Sequence, residues 1–101
     1  MYDGEKAVVV MIKSLKEGIE VDKDLYKCTV IEYQKETEQV HLLMETGELK
    51  NISLDAIYEC RIDTMKGEVH CIGKVKERYG NHAGNILVLQ VLNGFYEKNM
   101  K

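Results

Sequence analysis

The sequence predicts an all-β domain, a six-stranded antiparallel β-barrel carrying a short helical turn. Three observations predict it. Apolar segments of strand length recur from Leu25 to Leu92, separated by short polar turns. Proline is absent from all 101 residues, so no position lacks the N–H that a ladder requires. Ala56–Asp63 alternates strictly between apolar and charged residues, the period of a strand buried on one face.

The elements follow in order. Val8–Ile12 is a short, mostly β-branched run, apolar on both faces, and is expected where both sides are covered. Ser14–Asp24 is charged, contains Gly18 and reads as a loop with a helical turn at Ser14–Glu17. Leu25–Tyr33 is the second strand, with Tyr26, Cys28 and Val30 on one face and Lys27, Thr29, Ile31 and Tyr33 on the other. After the polar connection Gln34–Thr37, the third strand Gln39–Glu45 turns Val40, Leu42 and Met44 inward, with His41 and Leu43 outward. Glu45–Glu48 reverses the chain and Leu49–Leu54 crosses to the fourth strand.

The sharpest local signal is the next hairpin. Tyr58, Cys60 and Ile62 form one inward set, and Val69, Cys71, Gly73 and Val75 the matching one. A turn at Lys66-Gly67 sets Ile62 opposite Cys71, Cys60 opposite Gly73 and Tyr58 opposite Val75. Glu77–Asn85, rich in glycine and asparagine, is expected to be a mobile loop. Ile86–Leu92 has a length that also suits a buried helix, but its branched content and flanking glycines favour a strand. Asn93–Lys101 is a tail from which Phe95 and Tyr96 can pack back.

The length implies one domain, residues 1–101, able to bury a core without staples. The 14 basic and 17 acidic residues give a net charge of −3, which argues against a dedicated nucleic-acid binder and leaves room for a local basic patch. No apolar run is long enough to span a bilayer, and Met1–Glu5 lacks the layout of a signal peptide. The three cysteines are odd in number and scattered, which fits a reducing cytoplasm.

Catalytic chemistry has little to draw on. Cys28, Cys60 and Cys71 fall in inward sets, where cysteine acts as a small hydrophobe. No metal-ligand spacing joins them to His41, His70 or His82, and His70 and Cys71 face opposite sides. Ser14 and Ser53 are the only serines, without a triad context. No metal, no catalytic residue and no enzyme are expected. Gly80–Asn85 lacks the ending of a phosphate loop and precedes a strand.

Lys74, Lys76 and Arg78 recur at every second residue and are expected along one outer face, beside Tyr79. They form the best candidate patch for a nucleotide, an RNA or an acidic partner; an ordinary solvated strand face stands as the alternative. Ile31, Tyr33 and Leu43 on otherwise polar faces, with the doubly apolar last strand, suggest cover by a helix, by the tail or by a second copy.

Tyr26–Leu92 resembles the barrels of PilZ proteins, and within them the barrel that precedes the PilZ domain in bacterial flagellar brake proteins. The resemblance is carried by Tyr26–Glu32, Val40–Met44, Gly73–Arg78 and Asn85–Leu89. It implies a PilZ-like, split-barrel fold. In that family cyclic di-GMP is gripped by an Arg-x-x-x-Arg motif and an Asp/Asn-x-Ser-x-x-Gly motif. Arg61 and Arg78 are the only arginines, so the first motif is absent, while Asn51–Ala56 matches the second except for Ala56 in place of glycine. The departure fits the accessory barrel. The resemblance therefore implies a non-catalytic regulatory or interaction module in bacterial cyclic di-GMP signalling or motility, cofactor-free, with a protein partner or self-association. The alternatives are a divergent nucleotide-binding domain using Asn51, Ser53, Lys74, Lys76 and Arg78, and a small RNA- or single-strand-binding barrel stacking bases on Tyr79 and Tyr33.

Overall fold

A computed structural model describes residues 2–97. It contains β1 (Lys6–Ser14), β2 (Leu25–Gln34), β3 (Gln39–Met44), a 3₁₀ turn (Leu49–Asn51), β4 (Ala56–Thr64), β5 (Gly67–Asn81) and β6 (Gly84–Glu97). The six strands are antiparallel and close into a ring in the order β1-β2-β3-β6-β5-β4, with β4 returning to β1.

Strand alternation fills the interior. Ala7, Val9 and Met11 of β1, Tyr26, Cys28 and Val30 of β2, and Val40, Leu42 and Met44 of β3 all point inward. They meet Tyr58, Cys60 and Ile62 of β4, Cys71 and Val75 of β5, and Leu87, Leu89 and Val91 of β6. The inward assignments for β2 up to Val30, for β3 and for the β4–β5 hairpin are those expected from the sequence. Gly73 is needed where it stands: a Cβ there would lie 2.5 Å from the Gln90 carbonyl oxygen. One end of the ring is plugged by Tyr2, Tyr33 and Phe95, with Phe95 meeting Tyr33 edge-on at 5.0 Å.

Several expectations are corrected. The β4–β5 turn is Met65-Lys66, closed by the Thr64–Gly67 pair, so Ile62 faces Val69, Cys60 faces Cys71 and Tyr58 faces Gly73. Thr64 organises it by donating its hydroxyl to the Gly67 carbonyl at 2.6 Å, and Gly67 takes a φ of +126° that other residues rarely adopt. The register moves by two positions, which keeps every side chain on its expected face.

Glu77–Asn85 is not a loop: pairs run from Glu77↔Val88 to Asn81↔Gly84, leaving only His82 and Ala83 as the turn. Asn81 tightens it by accepting the Ala83 N–H at 2.8 Å. Ser14–Glu17 holds no helix; the one helical turn among the described residues is Leu49–Asn51. β1 is not covered on both sides, since Val8 and Val10 are half-buried outside and Ile12 is exposed.

Phe95 and Tyr96 are part of β6, and residues 98–101 of the expected tail lie outside the described residues. The outer face of β6 is covered within the chain at Ile86 and Val88, whereas Leu92 is exposed. Ile86 and Val88 are 3% and 4% exposed, flanked across the ladders by Leu43 and Tyr79 and by His41 and Glu77.

Bulges account for the remaining differences. Single extra residues stand at Ile12 in β1, Ile31 in β2 and Lys76 in β5. Each reverses the facing of the residues after it. Tyr33 therefore pairs with Val40 and turns toward the core, not outward. Arg78 pairs with the buried Leu87 and so leaves the outer face held by Lys74.

Candidate functional site: a cationic groove at an open seam

β5 runs past the point where β4 leaves it. Pairing between them spans Thr64↔Gly67 to Tyr58↔Gly73 and stops there. The β4 residues just before Tyr58 pair with β1 alone: Ile57 and Ala56 pair with Lys13 and Ser14, and the Leu15 N–H donates to the Asp55 carbonyl at 2.8 Å. From Lys74 onward β5 is paired on its β6 side alone. Among the described residues, no backbone hydrogen bond joins Lys74–Asn81 to Leu49–Ile57.

The segment facing this seam is held from inside. The buried Tyr58 hydroxyl oxygen accepts the Ser53 N–H at 3.0 Å, and the Ser53 side chain accepts the Asp55 N–H at 3.0 Å. Arg78 reaches across the seam and donates to the carbonyl of Leu49 (2.9 Å), which also accepts the Ile52 N–H of the 3₁₀ turn, and to the carbonyl of Ile52 just after the turn.

Two grooves meet at Leu54. One, about 360 Å³, is lined by Lys16, Ile19, Lys50–Asp55 and Arg78. The other, about 370 Å³, is lined by Leu54, Lys74, Val75, Lys76, Gln90 and Leu92. Together they hold Lys16, Lys50, Lys74, Lys76 and Arg78 against a single carboxylate, Asp55, on a chain whose net charge is −3. Glu48 borders the groove and pairs with Lys50 at 3.4 Å. Lys16, Lys74 and Lys76 have no ion-pair partner among the described residues.

All five residues singled out from the sequence line these grooves, but not in one role. Asn51, Ser53 and Arg78 share the first groove; Lys74 and Lys76 share the second. The Ser53 oxygen and the Arg78 guanidinium are engaged with the protein's own backbone, whereas Lys74 and Lys76 are not. Lys16 and Leu54 were missed because no spacing in the sequence links them to β5. Lys50 adjoins Asn51 and was within reach of a wider window.

The outer face holds a contrasting cluster on the other half of β5. His70, 1% exposed, is hydrogen-bonded through Nδ1 with Glu59 Oε2 at 2.8 Å and through Nε2 with Glu68 Oε1 at 2.9 Å. Arg61 donates to Glu59 at 3.1 Å, and Tyr96 stacks on the imidazole at 5.7 Å. Burial raises the Glu59 pKa, but hydrogen bonds from His70 and Arg61 outweigh it and hold the carboxyl below its ordinary range.

The other candidate chemistry is scattered or sealed. Cys28, Cys60 and Cys71 are free and fully buried. Burial, with the nearby Glu45 charge, pushes the Cys28 thiol up to about 12. The hydrogen bond with Cys71, then burial, raises the Cys60 thiol well above its usual value. Such thiols are poor nucleophiles. Among the described residues no group of three or more metal-binding side chains assembles. No helix among them is long and apolar enough to cross a membrane. Tyr33 is partly buried and packs against Phe95, whereas Tyr79 is 41% exposed.

The fold and groove define a closed antiparallel ring with one open, cationic seam. Compared with known proteins, the chain matches no family model, no curated protein and no solved structure.

Proposed function

We propose that this chain is a non-catalytic regulatory and interaction module that binds an anionic partner along the groove centred on Leu54. The observation that carries the reading is charge segregation: five cations face one carboxylate in two adjoining grooves of an acidic chain. Cations left without partners on a folded surface are available to an incoming anion. The raised Cys28 and Cys60 thiols, both buried, support a binding role over thiol catalysis. The gap between β4 and β5 supports a PilZ-like, split form of barrel. With the motif resemblance, it supports service in bacterial cyclic di-GMP signalling or motility, in the cytoplasm.

A second reading, a divergent nucleotide-binding domain, is favoured by Asn51, Ser53 and Arg78 lining one groove. Because Arg78 already donates to two carbonyls, phosphate contacts on this reading fall to Lys16 and Lys50.

The test is an amide-resolved NMR titration of the labelled protein with inorganic tripolyphosphate and, separately, cyclic di-GMP, at low and moderate salt. Shifts confined to Lys16, Lys50–Asp55 and Lys74–Arg78 that weaken with salt are expected for tripolyphosphate. Tighter, salt-resistant binding of cyclic di-GMP at Asn51–Asp55 would select the nucleotide reading. No groove shifts with either anion at millimolar concentration would reject both.

A further inference from the structure

We infer that the open edge of β5 over Lys74–Glu77 is a strand-addition site for an extended peptide segment that alternates acidic and apolar residues. The inference rests on the anionic-partner reading and names the partner's chemistry.

The backbone supplies the first argument. Lys74–Asn81 is held by β6 on one side, while the remaining β4 residues, Ala56 and Ile57, pair with β1 alone. Arg78 closes the far end of the seam through the Leu49 and Ile52 carbonyls. Over Lys74–Glu77 the strand is paired with β6, and only the alternate backbone groups that point away from β6 face no strand among the described residues. An extended peptide satisfies such groups by continuing the ladder, and its alternate side chains then fall on either face.

The side chains supply the second. Across the outer face of β5 the groove has an apolar floor, with Leu54 42% and Leu92 52% exposed, and Lys74 and Lys76 as its cations. A peptide whose carboxylates meet the lysines and whose apolar residues meet Leu54 and Leu92 matches both features. A bulge and lysines on an edge also discourage indiscriminate pairing. A second copy of this chain pairing edge to edge would set lysine against lysine. Only a strand bringing negative charge turns that repulsion into attraction.

The test uses the labelled full chain and a blocked hexapeptide alternating glutamate and valine. Two further versions carry N-methyl groups on the odd or on the even amides, and a fourth replaces glutamate by lysine. Saturable shifts on the Lys74–Glu77 amides are expected with the parent peptide. One N-methylated version should lose about tenfold or more in affinity, since only one set of amides faces β5. The lysine peptide should bind only the doubly substituted Lys74→Glu, Lys76→Glu protein. Absence of shifts on Lys74–Glu77 with millimolar acidic peptide would overturn the inference, as would equal affinity for all methylated forms or tighter binding of an oligouridylate. Tripolyphosphate binding without peptide binding would sink strand addition and leave the anion groove standing. Failure of both ligands would remove the groove reading as well.

Discussion

The two halves of β5 differ in what their charges do. From Val69 to Gly73 the strand lies between two partner strands, and its polar groups are satisfied internally: His70 is buried between Glu59 and Glu68, with Arg61 and Tyr96 completing the cluster. From Lys74 onward it is paired on one side, and Lys74 and Lys76 engage no carboxylate among the described residues. Charged side chains beside a complete ladder stabilise the fold, whereas the same kinds of side chain beside an incomplete one remain free for a ligand. Alternation alone does not distinguish them; pairing does.

The comparison can be broken at its hinge. Gly73 is the last residue paired to β4, and a Cβ there meets the Gln90 carbonyl oxygen at 2.5 Å and Leu89 at 3.0 Å. Gly73→Val should cost about 3 kcal/mol in chemical denaturation, through overpacking against backbone that cannot move aside.

The doubly paired half is sharpened next. His70→Ala removes a buried donor to Glu59 and should cost about 2 kcal/mol. The Glu59 carboxyl has a lowered pKa in the folded state, so its contribution is present above the ordinary carboxylate range and is lost as pH falls through the folded value. Stability measured by denaturation between neutral and acidic pH should therefore fall less steeply in Glu59→Gln than in the parent. An unchanged slope would place the acid sensitivity elsewhere.

Tyr58 ties the core to the seam. Tyr58→Phe removes the acceptor for the Ser53 N–H and should cost about 1 kcal/mol, while faster exchange appears at Ser53. The smallest expected effect on stability belongs to the open half. Lys74→Glu with Lys76→Glu should change unfolding free energy by no more than about 0.5 kcal/mol, yet abolish tripolyphosphate binding. A large loss of stability would mean that these lysines support the fold after all.

Much of the ring was legible because inward residues repeat with period two and carry its core. Val40, Leu42 and Met44, or Tyr58, Cys60 and Ile62, are readable one strand at a time. The reversed facings share a physical cause. A bulge adds one residue without altering the local pattern, so Tyr33 after Ile31 and Arg78 after Lys76 land on faces opposite to those expected. Sequence alternation also extends smoothly through Gly73 and carries no mark of where β4 departs. The seam arises because Ala56 and Ile57 follow β1, a pairing between distant segments that brings Lys16 near Leu54. The five candidate residues were found from β5 spacing and a short motif, but the reason they adjoin one groove lies in that divergence.

Everything proposed for the groove depends on β5 changing from a doubly paired to a singly paired strand at Gly73. Amide hydrogen exchange along β5, resolved residue by residue, tests that change most directly. Protection is expected at consecutive amides from Val69 to Gly73, then alternation across Lys74–Asn81, with amides facing β6 protected and those facing the seam exchanging orders of magnitude faster. Uniform protection through Lys74–Glu77 would show the edge already occupied within the chain, and would contradict both the open seam and the binding role built on it.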